Sequence, residues 1–343
     1  MTERLAAILG CAGEELTEPE QVLFRETRPV GLILFSRNCR SPEQVRRLTD
    51  SWRDAVGTDD GLVLIDQEGG RVRRLGPPHG RPPPAAAEFG RLAAGDSGLA
   101  AELARLNAQL IAADLRPLGV NVDCIPVLDV PAPGAHDVIG DRAFAADPDL
   151  VAALGHATCD GLEAGGVLPV IKHIPGHGRA EVDSHEALPI VTADREDLDR
   201  LDFAPFRSLS DAPLAMTAHV VFTTLDRNRP ATTSPDVIGL IRDDIGFGGL
   251  LMTDDLSMNA LPGDMRDRTL AARAAGCDVA LHCNGDADEM ASVAEHAGSL
   301  DKAGRQRLDA ALGRLSEPEF LHVPAAVSRI DEALDRAERG GPS

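Results

Sequence analysis

The densest run of reactive side chains is Ile171-Lys172-His173-Ile174-Pro175-Gly176-His177-Gly178, followed closely by Val182-Asp183-Ser184-His185. Three histidines and a lysine in so short a span admit three readings. One is a metal site drawing on His173, His177 and His185 with Asp254; the helical His-x₃-His form of such a site is excluded by Pro175 and Gly176, which break a helix. The second is acid/base catalysis. Asp183 stands two residues before His185, close enough for a carboxylate to orient an imidazole and raise its pKa. In the third, the histidines only satisfy backbone groups of a loop. The glycines flanking His177 make the loop, about residues 172–187, mobile.

A second centre is Gly248-Gly249-Leu250-Leu251-Met252-Thr253-Asp254-Asp255, an apolar run that ends in two carboxylates. Successive strand residues face opposite ways, so one of the two enters the space above the strand and the other turns to the helix layer. An anionic carboxylate at a strand end suits nucleophilic attack. Asp254 fits that role and Asp255 the N-cap of a helix starting near Leu256, although spacing alone leaves the assignment open. In Ile65-Asp66-Gln67-Glu68-Gly69-Gly70-Arg71-Val72-Arg73-Arg74, carboxylate and guanidinium groups follow a strong strand. Together they suit a polyhydroxylated ligand, since Asp accepts from hydroxyls and Arg donates in a fork; a salt-bridged loop is the equal alternative. Asp141 and Arg142, within Val138–Phe144, either bind ligand or pair with each other, and on position alone the ion pair is favoured.

The elements that must position these groups are short apolar segments separated by helical stretches. Strands are expected at Ala7–Gly10, Gly31–Phe35, Leu62–Asp66, Val120–Val127, Leu168–Lys172, Leu214–Ala218, Leu250–Thr253 and Val279–His282. Between them, Pro42–Val56, Gly98–Leu115 and Asp149–Ala164 have helical spacing. Eight strands alternating with helices argue for parallel βα units closing into an α/β (β/α)₈ TIM barrel. Arg37 and Asn38, Asp66, Asp129, Lys172 and His173, His219, Asp254 and Asn284 all fall at strand C-termini, the face where such barrels carry their sites. No Gly-rich phosphate fingerprint follows the first strand. Pro77–Pro84 reads as a loop and residues 1–343 as one domain.

Composition narrows the class. The chain has 343 residues, 43% hydrophobic, with 55 acidic against 34 basic residues and a formal charge of −21. A field of that sign repels nucleic-acid backbones and anionic lipid surfaces, so neither is expected as a partner. The six cysteines are scattered and form no C-x₂-C pair, which signals neither zinc ribbon nor disulfide framework. No basic leader with a long apolar stretch opens the chain, and a cytoplasmic location is expected.

Taken in order, eight segments resemble the bacterial β-N-acetylglucosaminidases of glycoside hydrolase family 3. They are Gly-Leu-Ile-Leu-Phe-Ser-Arg-Asn, Asp-Gln-Glu-Gly-Gly-Arg-Val, Pro-Val-Leu-Asp-Val, Ile-Gly-Asp-Arg-Ala-Phe, Lys-His-Ile-Pro-Gly-His-Gly, Asp-Ser-His, Met-Thr-Ala-His and Thr-Asp-Asp-Leu-Ser-Met, from about Gly31 to Met258. The resemblance implies a TIM barrel and a cofactor-free, two-step retaining mechanism. It implies Asp254 as nucleophile, His185 as acid/base assisted by Asp183, and sugar contacts from Asp66, Arg74, Arg142, Lys172 and His173. It further implies release of terminal N-acetylglucosamine from small saccharides, muropeptide fragments of peptidoglycan recycling among them. Ile174 stands where the family has an aromatic residue, and Arg179-Ala180 fills the variable part of the loop. Rival expectations are a family 3 glycosidase or phosphorylase of other sugar specificity, a metal-dependent TIM-barrel hydrolase, and a sugar-binding barrel without turnover.

Overall fold

The computed structural model describes residues 3–134, 136–184 and 186–339. Ten strands are present among these residues: β1 (Leu5–Leu9), β2 (Pro29–Leu34), β3 (Leu62–Ile65), β4 (Val122–Asp123), β5 (Leu168–Ile174), β6 (Ile190–Val191), β7 (Leu214–Thr217), β8 (Val221–Phe222), β9 (Leu250–Asp255) and β10 (Val279–His282). Eight of them close a parallel barrel in the order β1-β2-β3-β4-β5-β7-β9-β10, while β6 and β8 pair as a separate two-stranded ribbon. The barrel strands coincide with the eight expected from sequence. The ribbon was not expected, and it left little to read: each strand has two residues, and Ile190 is exposed.

The barrel strands are apolar on both faces because each face is buried. Ile8, Leu64, Val122, Val170, Met216, Met252 and Leu281 belong to the cluster that fills the barrel lumen, joined by Leu300 and Leu308 from beyond the last strand. Alternate residues such as Leu9, Leu32, Leu34, Val63 and Ile65 pack outward with Trp52, Val45 and Leu48 of the helix layer. This two-faced burial produces near-continuous apolar runs in place of strict alternation.

Local signals fix the helices. In Pro42–Val56 the Ser41 side chain caps the Gln44 N–H, and Gly57 ends the helix at φ 70°. Asp96 caps Ser97–Leu115, and Asp147 with Pro148 opens Pro148–Ala164. The last two helices pack tightly at Gly161, where a Cβ would lie 2.2 Å from the Arg105 carbonyl oxygen.

Four boundaries beside the site differ from expectation. The fourth strand shrinks to Val122–Asp123 because Pro126 has no N–H for the ladder; pairing resumes only as a bridge between Val127 and Lys172. β5 runs on to Ile174 and β9 to Asp255, so Lys172, His173, Asp254 and Asp255 all sit on strands. No helix begins near Leu256: the chain turns there, and the next helix is Met265–Ala275, capped by Asp264.

Candidate active site

At the C-terminal mouth of the barrel a cavity of about 280 Å³ is lined by Asp66, Glu68, Arg74, Arg142, Lys172, His173, His177, Ser184, Asp254 and Asp255, with Ile33, Phe35, Met216, Met258 and Leu281 among its apolar wall. It lies at the small end of the range for ligand sites, the scale of one ring and not of a chain.

One wall is a line of alternating charges. Arg74 reaches Asp66 at 3.0 Å, Asp66 accepts from Lys172 Nζ at 2.8 Å, and Lys172 meets Glu68 at 2.6 Å. Glu68 in turn accepts two bonds from Arg142, each 2.8 Å, in a bidentate fork. Burial alone would raise the carboxyl pKa of Asp66 and of Glu68. Lys172 with Arg74 for Asp66, and Lys172 with Arg142 for Glu68, outweigh burial and hold both below the usual carboxylate range. Burial opposes the Lys172 charge as well, yet Asp66 and Glu68 push its pKa up on balance. Asp66, Glu68 and Lys172 are therefore charged at neutral pH, alongside the two guanidinium groups. Both Asp66 oxygens and Glu68 Oε2 keep a lone pair for a ligand hydroxyl, while Glu68 Oε1 is taken up by Arg142 and Lys172.

The sequence placed Asp66, Arg74, Arg142 and Lys172 here but passed over Glu68. Its signal was in plain view: Asp66 and Glu68 are two apart, the spacing that sends side chains of an extended segment to one side. The Asp66–Arg74 segment is salt-bridged and also faces the cavity. The expected pairing of Asp141 with Arg142 does not form. Arg142 goes to Glu68, and Asp141 pairs with Arg71 at 3.2 Å.

A bulge explains why Lys172 and His173 both reach the cavity. The β5–β7 register shifts between Lys172 and Ile174, which breaks the strict alternation of faces. Asp129, fully buried, accepts from the His173 ring Nδ1 at 2.7 Å, the His173 backbone N–H at 3.2 Å and the His177 N–H at 2.7 Å. His173 thereby carries its proton on Nδ1 and turns Nε2 to the cavity. Gly178 lets the loop pass close over the β4–β5 side, where a Cβ would lie 2.0 Å from the Val130 carbonyl oxygen. Arg179 ties the same loop to buried Asp202 at 2.7 Å.

Asp254 is half-buried at the end of β9. Burial pushes its pKa up, but His219, His173, the Asp255 N–H at 2.8 Å and Lys172 together hold it below the usual range. His219 lies beneath, pushed down by burial and held between Thr232 Oγ1 at 2.7 Å and the Asp255 carbonyl at 3.0 Å. Asp255 also borders the cavity, against the expectation that one of the two carboxylates would turn away. Its oxygens are occupied by the Ser257 N–H and hydroxyl and the Cys283 N–H, so it caps a turn and not a helix. Asp183 is half-buried and not among the side chains lining the cavity. His185 lies outside the described residues. Arg37, Asn38 and Asn284, noted at strand ends, bind Cys11, Gly13 and Glu289 and serve the scaffold.

Among the described residues no group of three or more His, Cys, Asp or Glu side chains is placed to hold a metal ion, and no helix is long and apolar enough to cross a membrane. All six cysteines are free thiols.

Residues 12–317 match the N terminal domain of glycosyl hydrolase family 3. A β-hexosaminidase of Nitrosomonas eutropha is 36% identical over 340 residues, covering 95% of this chain and 97% of that one. Another from Thioalkalivibrio sulfidiphilus is 42% identical over 283 residues, 81% of this chain and 80% of that one. The crystal structure of NagZ from Neisseria gonorrhoeae in complex with N-trifluoroacetyl-D-glucosamine superposes with a TM-score of 0.83 at 31% identity, covering 99% of both chains. The chain belongs to glycosyl hydrolase family 3. Within it, the protein is a glycoside hydrolase of the β-N-acetylhexosaminidase group.

Proposed function

We propose that this hydrolase removes terminal, non-reducing β-linked N-acetylglucosamine from small saccharides, muropeptide fragments released in peptidoglycan recycling among them, by a two-step retaining mechanism. The observation that carries the reading is a one-ring cavity holding the half-buried carboxylate of Asp254, with charges suited to hydroxyls on the facing wall. The wall from Arg74 to Arg142 supplies fixed donors and acceptors to a sugar's hydroxyls, and His173 Nε2 supplies one more. Their preset geometry favours the charge that grows on the ring as the glycosidic bond stretches.

In the first step an Asp254 oxygen bonds to the anomeric carbon as the bond to the leaving oxygen breaks, and the His185 imidazolium gives its proton to that oxygen. In the second step neutral His185 takes a proton from water. The water oxygen bonds to the anomeric carbon, and the ester to Asp254 breaks, restoring the carboxylate. Asp183 orients the imidazole and favours its charged form. No metal or organic cofactor enters these steps. The relatives' names and the bound glucosamine derivative of the Neisseria structure support the choice of sugar.

The test sets p-nitrophenyl β-N-acetylglucosaminide beside the β-glucoside, each with and without EDTA. Chelator-insensitive release from the N-acetyl substrate alone is expected. Release from the glucoside alone would move the specificity elsewhere in the family, and EDTA-sensitive release would favour the metal-dependent reading.

A further inference from the structure

The residue just before His185 is gripped from two sides of the cavity. Ser184 is buried although it lies on a loop. Its hydroxyl sits 3.2 Å from Nε2 of His177, and its carbonyl accepts the Ala260 N–H at 3.2 Å. His177 is itself buried and fixed from below, since its N–H donates to the Asp129 carboxylate that also holds His173. Ala260 lies in the turn that follows Asp254 and Asp255. Ser184 thus joins the Asp129–His173–His177 floor to the turn beyond the nucleophile strand, and the two-step mechanism above makes no use of it.

We propose that Ser184 is a positioning residue, whose bonds to His177 and Ala260 fix the chain that leads into the acid/base. The proposal rests on His185 being the acid/base. Proton transfer to the leaving oxygen needs the imidazole within hydrogen-bond reach, and a misplacement of roughly 1 Å costs on the order of 100-fold in rate. A loop residue held by its carbonyl alone, without the hydroxyl bond to His177, samples other positions. His177 suits the anchoring role because its ring is neutral near neutral pH: burial first, then neighbouring His173, push its pKa down to about 4. Its Nδ1 has no partner among the described residues. A buried N–H without an acceptor is costlier than a bare lone pair, so the proton belongs on Nε2, which donates to the Ser184 hydroxyl.

The test is a double-mutant cycle on two β-N-acetylglucosaminides, one with a 2,4-dinitrophenyl leaving group and one with a poor alkyl leaving group. Ser184→Ala is expected to lower kcat/KM by roughly 10- to 100-fold on the alkyl glycoside and by less than about 3-fold on the dinitrophenyl one. Ser184→Thr, which keeps the hydroxyl, should recover most of the loss. In a His185→Ala background, Ser184→Ala should add less than about 2-fold, because the group it positions is gone. Equal losses on both substrates with raised KM would make Ser184 a substrate contact and overturn the proposal. So would a loss that persists undiminished in the His185→Ala background, or no loss at all. His185→Ala on its own judges the underlying reading: if it harms both substrates alike, the acid/base assignment falls first and the positioning role with it.

Discussion

A half-buried carboxylate that must attack carbon has to stay an anion where the surroundings favour the neutral acid. Asp254 is kept so by the Asp255 N–H and by Lys172 at any pH near neutrality, and by His219 and His173 to the extent that these are protonated. Removing the carboxylate should end turnover and leave the fold intact: the Asp255 N–H loses its acceptor, while the charged wall and the His173–Asp129 pair keep theirs. For Asp254→Ala we expect a fall in kcat of at least about 1000-fold, with urea unfolding changed by less than about 1 kcal/mol. Azide should restore cleavage of an activated aryl glycoside in Asp254→Gly with inverted product; substantial residual hydrolysis in Asp254→Ala would sink the nucleophile assignment. Lys172 should behave differently. It stands between Asp66 and Glu68, so Lys172→Met removes the cation the two carboxylates share and leaves each with one guanidinium, Arg74 for Asp66 and Arg142 for Glu68. That variant should lose activity and also about 3–5 kcal/mol of stability. Equal urea midpoints for Lys172→Met and the parent would show that the two carboxylates do not depend on it.

Among the elements, the segment after β5 bears the most. Its base is pinned by Asp129, by Asp202 through Arg179, and by the close pass at Gly178. A methyl group at Gly178 would meet the Val130 carbonyl and lift the loop, while the barrel core beneath is untouched. Gly178→Ala is therefore expected to cut kcat/KM by more than about 10-fold on good and poor leaving groups alike, with a thermal midpoint within a few degrees of the parent; a near-parental rate would mean that the loop tolerates displacement. The sequence showed this loop as a cluster of histidines and glycines, and it showed the eight barrel strands, because apolar runs and strand-end polar residues need no knowledge of neighbours. It did not show that Glu68 takes Arg142, or that Asp129 holds His173 and His177. Those pairings depend on which strand ends become adjacent when the barrel closes. The alternation rule misled at the Asp254–Asp255 pair, and it does not hold at Lys172–His173 either. A bulge brings His173 alongside Lys172, and the lengthened β9 leaves Asp255 beside the cavity, tied to Ser257 and Cys283.

For the molecule as a whole, the same site makes stability depend on pH from both sides. Asp66, Glu68, Asp129 and Asp254 have depressed pKa values, so the stability they contribute is present above the unfolded carboxylate range and is lost as pH falls. His177, pushed down to about 4, acts in the same direction, because the unfolded chain takes up its proton first. Asp123 works the other way. It is fully buried beneath the charged wall, with one oxygen accepting the Gln67 N–H at 2.9 Å and the other without a partner among the described residues. Burial raises its pKa from 3.8 to about 8 against the pull of Gln67 and Lys172. Between those values the unfolded chain ionises Asp123 while the folded chain keeps it protonated, so its contribution is lost as pH rises from about 4 to about 8. Asp123→Asn keeps an acceptor for Gln67 and removes the titration. Its stability relative to the parent should therefore climb from pH 5 to pH 8, by on the order of 1–4 kcal/mol, even if the variant is the less stable of the two at pH 5. Urea melts of both proteins across that range would decide it. A constant gap would mean that Asp123 is ionised throughout, and that the cations of the wall neutralise three carboxylates in place of two.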